Sequence, residues 1–576
     1  MKNIIRNWTN PIKRQWPLLV AYMVMIGWKT LLSNPYMHWF CTFLQAYLVV
    51  LLVDVTKSKV VKGLVYVLVF VLFLIQVMLE NCYDLSISPS TLMLLAETNE
   101  RETREFFSVL VSKPGFWLTL FETAVCIALT WYAEHRQTRL SAFLNQGRRG
   151  KALKWLSAFL LVGGIVASHC YVNLFSCKTV DEVSAWNMKF RHPSDPVTRV
   201  MIAFFDTHLA GKETELAVKV TREMVPAKTD ETDSLHVILV IGESFIKQHS
   251  PIYGYYLNTT PCMLEEQRQG NLTVFTDVVS PNNRTTLAMR NLISCNSIAS
   301  GERWSEKPAL TAVFKSSGYY VSMFDNQRSF SFASTQTYAL NNYLYNPKLL
   351  KACYDEVCPE VFDYDADLIA YYTKQRQPDH RLRLTIFHLM GQHFDTRERF
   401  PQDDARFTRF TADSIRRNDS WMTRKKRQEI ADYDNSTLYN DYVMAQIFGL
   451  ARGQNAVVVY VSDHGEEVFD YRDNSGRSNS KNLSDMVLYQ NGVPLVVWCS
   501  EIYQQRHPDI VDRLKHAAHR PLMTDNVCQL LFHLAMMRHQ PYYVAKRDVL
   551  SDHYDCGQRL LENQWDYDEL QKNKVR

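Results

Sequence analysis

Apolar and polar residues follow two different patterns along this chain, and the pattern changes near residue 175. Before that point come five long apolar runs, Trp16–Leu32, Met37–Val55, Gly63–Leu79, Phe116–Ala133 and Trp155–Val172. Each is long enough as a helix to cross a hydrocarbon layer of roughly 30 Å, and five in succession exceed what buried core helices provide. Beyond residue 235 the apolar runs are short and rich in β-branched residues: His236–Ile241, Tyr319–Phe324, Leu384–His388, Val457–Val461 and Val493–Trp498, separated by helical or polar stretches. That alternation predicts a doubly wound α/β domain. The pattern therefore gives a transmembrane domain of five helices over 1–175, a connector over 176–235 and a soluble α/β domain over 236–576. In the connector, Val200, Met201, Ile202, Phe204 and Phe205, flanked by Arg199 and Asp206, suit a helix lying on a membrane surface or one packed on the soluble domain.

Charge sets the orientation. Lys2, Arg6, Lys13 and Arg14 precede the first run, Lys57, Lys59 and Lys62 separate the second from the third, and Arg136, Arg139, Arg148, Arg149, Lys151 and Lys154 separate the fourth from the fifth. Basic loops stay cytoplasmic, so the N-terminus is inside and an odd number of spans carries the C-terminal domain outside. A first run that leads directly into a second is no cleaved signal peptide. Of the 12 cysteines, Cys177, Cys262, Cys295, Cys353, Cys358, Cys499, Cys528 and Cys556 follow the last run, which agrees with an outside location; Cys353 and Cys358 bracket a loop that a disulfide would close. A formal net charge of +4 without a basic, aromatic-studded stripe excludes nucleic acid as a partner.

The candidate chemistry sits at strand ends, where open α/β sheets place their ligand sites. Val457–Val461 runs into Ser462-Asp463-His464-Gly465-Glu466, and His236–Ile241 runs into Gly242-Glu243-Ser244. Two carboxylates and an imidazole form a borderline-hard donor set suited to zinc or manganese. A third strand ends in His388 and leads to His393; His388, on the apolar strand itself, reads as a satisfied core histidine. A nucleophile for such a metal belongs at a helix start, where the dipole favours a developing anion. Thr285 fits, because Ala288, Met289, Leu292 and Ile293 follow it at spacings of one helix face; taking Thr286 instead would bring Arg290 and Ser294 onto the buried face.

The ordered set of motifs resembles the membrane-bound phosphoethanolamine transferases of Gram-negative envelopes. It comprises Gly242-Glu243-Ser244, Ile252-Tyr253-Gly254-Tyr255, Asn258-Thr259-Thr260-Pro261, Ser280-Pro281 with Thr285, and Asp325-Asn326-Gln327. It continues with His388 to His393 and Arg399-Phe400-Pro401, Tyr433-Asp434-Asn435-Ser436, Tyr439-Asn440-Asp441, and Ser462 to Glu467. The resemblance implies an alkaline-phosphatase-like (sulfatase-like) domain in which Glu243, Thr285, Asp463 and His464 bind one Zn2+ and Thr285 is the nucleophile, with Thr286 its rival. It implies phosphatidylethanolamine as donor and lipopolysaccharide, at a lipid A phosphate or a core sugar, as acceptor. His393 is assigned to phosphate binding or a second zinc, and Asn326 and Gln327 to the phosphate or the ethanolamine head group or to a plain turn. One departure stands out. Relatives carry a further histidine after the Asp-His-Gly-Glu segment; 473–490 contains none, and Arg477 stands near that place, which leaves a second metal open. A phosphoglycerol transferase or sulfatase-like hydrolase on the same framework, and a non-enzymatic membrane-anchored sensor, are the competing readings. Asn283-Arg284-Thr285 is a glycosylation sequon, and a glycan there would crowd the nucleophile, so the expected setting is a bacterial inner membrane with a periplasmic catalytic domain.

Overall fold

The computed structural model describes residues 196–327, 346–375, 380–477, 482–562 and 565–574 without a break, and before them chiefly 58–83 and 113–144. The apolar run Gly63–Leu79 lies in helix α1 (Lys59–Tyr83) and Phe116–Ala133 lies in α2 (Pro114–Leu144). The runs Trp16–Leu32 and Trp155–Val172, and most of Met37–Val55, fall outside the described residues. Among the described residues one helix, Lys59–Cys82, is long and apolar enough to cross a membrane, and Pro114–Ala128 is a shorter apolar helix. The two pack closely: Asn81 Nδ2 donates to Thr119 Oγ1 at 3.0 Å, and a Cβ on Gly115 would lie 2.3 Å from the Asn81 carbonyl oxygen, so only glycine fits there. Leu64, Leu68, Trp117 and Phe121 remain exposed, an outer face suited to lipid.

The chain divides into two compact units, one running to Lys212 and the other beginning at Glu213. The division falls inside α3 (Pro196–Arg222), within the connector expected over 176–235. The second unit is built on a seven-stranded sheet. In chain order its strands are β1 (Leu235–Gly242), β2 (Leu272–Phe275), β3 (Tyr320–Asp325), β4 (Glu356–Val357), β5 (Leu382–His388), β6 (Ala456–Ser462) and β7 (Leu495–Cys499). Across the sheet they lie in the order β2-β7-β6-β1-β5-β3-β4. β6, β1, β5, β3 and β4 run parallel, whereas β7 is antiparallel to β6 and β2 antiparallel to β7. All five predicted strands are present. The short edge strands β2 and β4 carry too few residues to show a period.

Strand β1 is buried along its whole length, as a central strand covered on both faces must be. Val237, Leu239 and Ile241 join Val457, Val459 and Val461 in one core layer, which includes Met289 and Leu292 of α4 (Thr285–Leu292). Ile238, Val240, Val458 and Tyr460 face the opposite layer, against α5 (Asp365–Lys374) and α6 (Arg424–Ala451). The register brings the ends of the parallel strands level: Gly242 pairs with Ser462, Ile241 with His388 and His388 with Asp325. Glu243, Asp463, Asn326 and Leu389 therefore all emerge at one edge.

One buried ion group lies behind that edge. His249 Nδ1 donates to Asp434 Oδ1 at 2.7 Å and its Nε2 to Asp470 Oδ1 at 3.0 Å, while Tyr255 donates its hydroxyl to Asp434 Oδ2 at 2.9 Å and the Tyr433 ring packs edge-on. Burial works to lower the imidazole pKa, but the charges and hydrogen bonds of Asp434 and Asp470 prevail and raise it to about 10. Burial pushes the Asp434 carboxyl the other way, upward, against the pull of His249. The unfolded imidazole loses its proton near its ordinary value of 6.5, the folded one near 10. Its contribution to stability is thus complete below the lower value and is lost as pH rises towards the upper one. Denaturation of the wild type should show that decline, and His249→Gln should lack it and lose roughly 3–5 kcal/mol near neutral pH.

Candidate active site

Glu243, Asp463 and His464 are all buried, and one ligand atom from each lies within 4.8 Å of the others. Glu243 follows the end of β1, and its carboxylate is oriented from three sides. Oε1 accepts from Ser244 Oγ at 2.7 Å, and Oε2 accepts from Thr285 Oγ1 at 3.1 Å and from Gln327 Nε2 at 3.3 Å. Ser244 has φ of 57°, a left-handed conformation that turns the chain sharply after Glu243 and sends the Ser244 N–H to Asp463 Oδ1 at 3.2 Å. Gly391 packs against the same turn. Its φ is 48° and an added Cβ would lie 2.9 Å from both the nitrogen and the oxygen of Glu243. Gly391→Ala should therefore destabilise the fold by roughly 1–3 kcal/mol and displace Glu243, measured as a lower melting temperature together with weaker metal binding.

Asp463 and His464 follow β6. His464 Nδ1 lies 2.8 Å from the Gly465 carbonyl oxygen, which can only accept, so the proton sits on Nδ1 and Nε2 carries a lone pair. That nitrogen is 3.1 Å from Asp463 Oδ2, 3.3 Å from Glu243 Oε1 and 3.1 Å from Thr285 Oγ1. Asp463 Oδ2 is buried without a hydrogen-bond partner. Electron pairs converging in a buried cluster, one of them orphaned, suit a cation, and a carboxylate–imidazole–carboxylate set fits zinc. Burial, then Arg477, holds the His464 imidazole neutral with its pKa down at about 3, the form in which histidine ligates metal. Burial and the charge of Glu243 push the Asp463 carboxyl well above its ordinary range. Burial acts on Glu243 in the same sense, but its contact with His464, the charge of Arg477 and the Ser244 hydrogen bond keep it well below. The metal-free pair thus holds one negative charge readily and resists a second, a conflict a divalent cation removes.

Thr285 is the first residue of α4, and its hydroxyl contacts both Glu243 and His464. Contrary to the expectation from apolar spacing, Arg290 and Ser294 do not weigh against Thr286. Arg290 and Ser294 are both buried, Arg290 with its guanidinium 4.9 Å from the Trp304 ring centroid and Ser294 donating to the Trp304 carbonyl at 2.9 Å. A buried polar face is tolerated there because Arg290 packs on the Trp304 ring and Ser294 is hydrogen-bonded; Thr285 is placed at the site by its own contacts with Glu243 and His464.

The remaining expected residues divide. Gln327 reaches the site, bonded to Glu243 and, at 2.7 Å, to the Leu389 carbonyl. Asn326 does not: its Nδ2 donates to Asp365 and its Oδ1 accepts from the Phe362 N–H, so both ends of the amide are consumed inside the fold. His393 is partly exposed at the rim, its Nδ1 donating to the Phe394 carbonyl at 2.7 Å. His388 is a core histidine, donating to Asp325 Oδ1 at 2.8 Å. Cys353 and Cys358 are both buried and are not joined by the disulfide expected to close their loop.

Arg477 lies near the place where the sequence lacks the further histidine, and behind it runs a relay that the sequence does not announce. Arg477 reaches His464 Nε2 and the Asn283 carbonyl, the latter at 3.0 Å. Behind it, Glu467 Oε1 accepts from Gln490 Nε2 at 2.6 Å, and Gln490 Oε1 accepts from Asn283 Nδ2 at 2.6 Å, a buried relay that steadies the turn leading to Thr285. Only the adjacency of Glu467 to the Asp463-His464 segment hinted at it.

The Sulfatase family matches residues 236–534. Phosphoethanolamine transferase EptC of Escherichia coli strain K12 is 23% identical over 459 residues, 78% of this chain and 76% of its own length. The Kdo(2)-lipid A phosphoethanolamine 7''-transferase of the same strain is 29% identical over 287 residues, 48% of this chain and 46% of its own. Among solved structures, the integral membrane protein lipooligosaccharide phosphoethanolamine transferase A from Neisseria meningitidis aligns over 94% of this chain and 97% of its own, with a TM-score of 0.57 at 16% identity. The C-terminal periplasmic domain of EcEptC from Escherichia coli aligns over 60% of this chain and 97% of its own, with a TM-score of 0.51 at 23% identity. These structural likenesses establish a shared fold. With just over half of its length matched, including the strand ends that present Glu243 and Asp463, the chain belongs to the Sulfatase family, and its curated relatives are phosphoethanolamine transferases.

Proposed function

We propose that this protein transfers phosphoethanolamine from phosphatidylethanolamine to lipopolysaccharide, at a lipid A phosphate or a core sugar, through a covalent intermediate on Thr285. The observation that carries the reading is the Thr285 hydroxyl at 3.1 Å from both Glu243 Oε2 and His464 Nε2. A zinc ion held by Glu243, Asp463, His464 and Thr285 supplies a charge that lowers the pKa of the hydroxyl and balances negative charge developing on phosphorus oxygens. The chain does the rest. Ser244 and Gln327 fix the Glu243 carboxylate, the Gly465 carbonyl fixes the His464 tautomer, and the N-terminal end of α4 directs its positive dipole end at Thr285.

In the first half-reaction Thr285 Oγ bonds to the donor phosphorus, the bond from phosphorus to the diacylglycerol oxygen breaks, and the threonine proton ends on that oxygen. In the second, an acceptor oxygen bonds to phosphorus, the bond to Oγ breaks, and the acceptor's proton returns to the threonine. Both lipids reside in a bilayer, which accounts for an apolar N-terminal domain joined to a polar catalytic one. We place the protein in a bacterial inner membrane, with five spans, the N-terminus in the cytoplasm and the catalytic domain in the periplasm. Full-length protein in mixed micelles with zinc and head-group-labelled lipids tests the reading. Label should pass from phosphatidylethanolamine to lipopolysaccharide; label arriving from phosphatidylglycerol instead would overturn it in favour of a phosphoglycerol transferase.

A further inference from the structure

We infer that Arg477 is the phosphate-binding residue of this site, its guanidinium holding the non-bridging oxygens of the phosphodiester presented to Thr285. The inference deepens the reading above and rests on it. Charge gives the first argument. Two buried carboxylates are at best balanced by one divalent cation, so a phosphodiester arrives with a negative charge that has no counterpart among those ligands. Arg477 brings the missing charge to that point: it contacts the same His464 Nε2 that Thr285 Oγ1 contacts, which makes guanidinium and nucleophile close neighbours.

Position gives the second. Arg477 Nη1 donates to the carbonyl of Asn283, two residues before the nucleophile, and Nε lies 3.3 Å from Glu466 Oε2. Glu466 itself is buried. The side chain is therefore anchored on both sides of the reaction centre, by the turn before α4 and by the segment after β6. It keeps room to adjust, being 27% exposed and following Gly476, whose φ of 101° turns the chain inward just before it.

Chemistry gives the third. An Arg477 N–H aimed at His464 Nε2 uses the lone pair that a bound cation would take, and two positive groups do not share one lone pair. When the ligands are engaged that N–H is released and requires a new acceptor. Phosphate oxygens beside Thr285 are acceptors of the right charge, and the planar fork of a guanidinium matches two of them at once, which an ammonium does not.

The test uses the full-length protein in detergent micelles, zinc-loaded, with inorganic phosphate as the probe in calorimetric titrations and chelator competition as the measure of zinc affinity. Arg477→Ala should weaken phosphate binding by about 10- to 100-fold, the worth of charge-assisted hydrogen bonds. Arg477→Lys should recover only part of the loss, and zinc affinity should be unchanged or slightly higher in both variants. Retained zinc binding also shows that the variants are folded. Wild-type phosphate affinity in Arg477→Ala would overturn the inference, as would a parallel loss of zinc, which would make the arginine a support for the metal ligands. Failure of the wild type to transfer from phosphatidylethanolamine while phosphate binding still depends on Arg477 would overturn the proposed donor and leave the arginine's role standing.

Discussion

Thr285→Ala should lower phosphoethanolamine transfer by at least about 10⁴-fold, because it removes the hydroxyl proposed to bond to phosphorus. The same variant should lose the covalent adduct that mass spectrometry of the donor-treated wild type is expected to show on the peptide containing Thr285. Zinc binding should fall much less, since Glu243, Asp463 and His464 remain within reach of one another. The combination separates a missing nucleophile from a collapsed site. Thr286→Ala is the control and should keep both adduct and activity. An adduct on Thr286, or no adduct on either threonine with donor and zinc present, would sink the covalent mechanism.

Asp463→Asn should weaken zinc binding by more than about 100-fold, since even second-shell changes cost 10- to 100-fold in metal sites. The substitution keeps the shape of the side chain and an oxygen that still accepts from the Ser244 and His464 N–H groups, but removes the charge that the cation neutralises. Zinc at about 100 times its dissociation constant should stabilise the wild type by about 2.7 kcal/mol, and a chelator should reverse the gain. The variant should gain no more than about 0.4 kcal/mol at the same concentration, and its zinc-dependent rise in melting temperature should be correspondingly small. A rise equal to that of the wild type would remove Asp463 from the ligand set.

The parts of this site that could be read from sequence are those whose position follows from one local rule. Asp463 and His464 follow a run of β-branched residues, Glu243 follows another, and a strand end in a parallel sheet is a known address. Thr285 was legible through the apolar spacing of its helix, although the same spacing misjudged Arg290 and Ser294, whose burial rests on Trp304, a partner no periodicity reveals. Asn326 and Gln327 are adjacent in one turn, yet one amide faces Glu243 and the other is spent on Asp365; backbone direction over two residues decides this, and composition carries no trace of it. Arg477 reaches His464 only because the chain doubles back through Gly476, so its role depends on a turn and not on a pattern. Likewise the reversed direction of β7 and β2 lies in the connections, since a buried strand has the same apolar sequence either way.

Asp365 has a consequence for engineering hybrids. This one buried carboxylate, at the start of α5, accepts from Asn326 Nδ2 and from the N–H groups of Met390 and Gly391, and so ties the turn after β3 to the turn after β5. The two turns carry Gln327 and His393, and they are segments a chimera with a relative would exchange. They travel as one cassette: a chimera that imports either turn alone inherits half of a three-way junction, whereas one that takes both together with the first turn of α5 carries the junction intact.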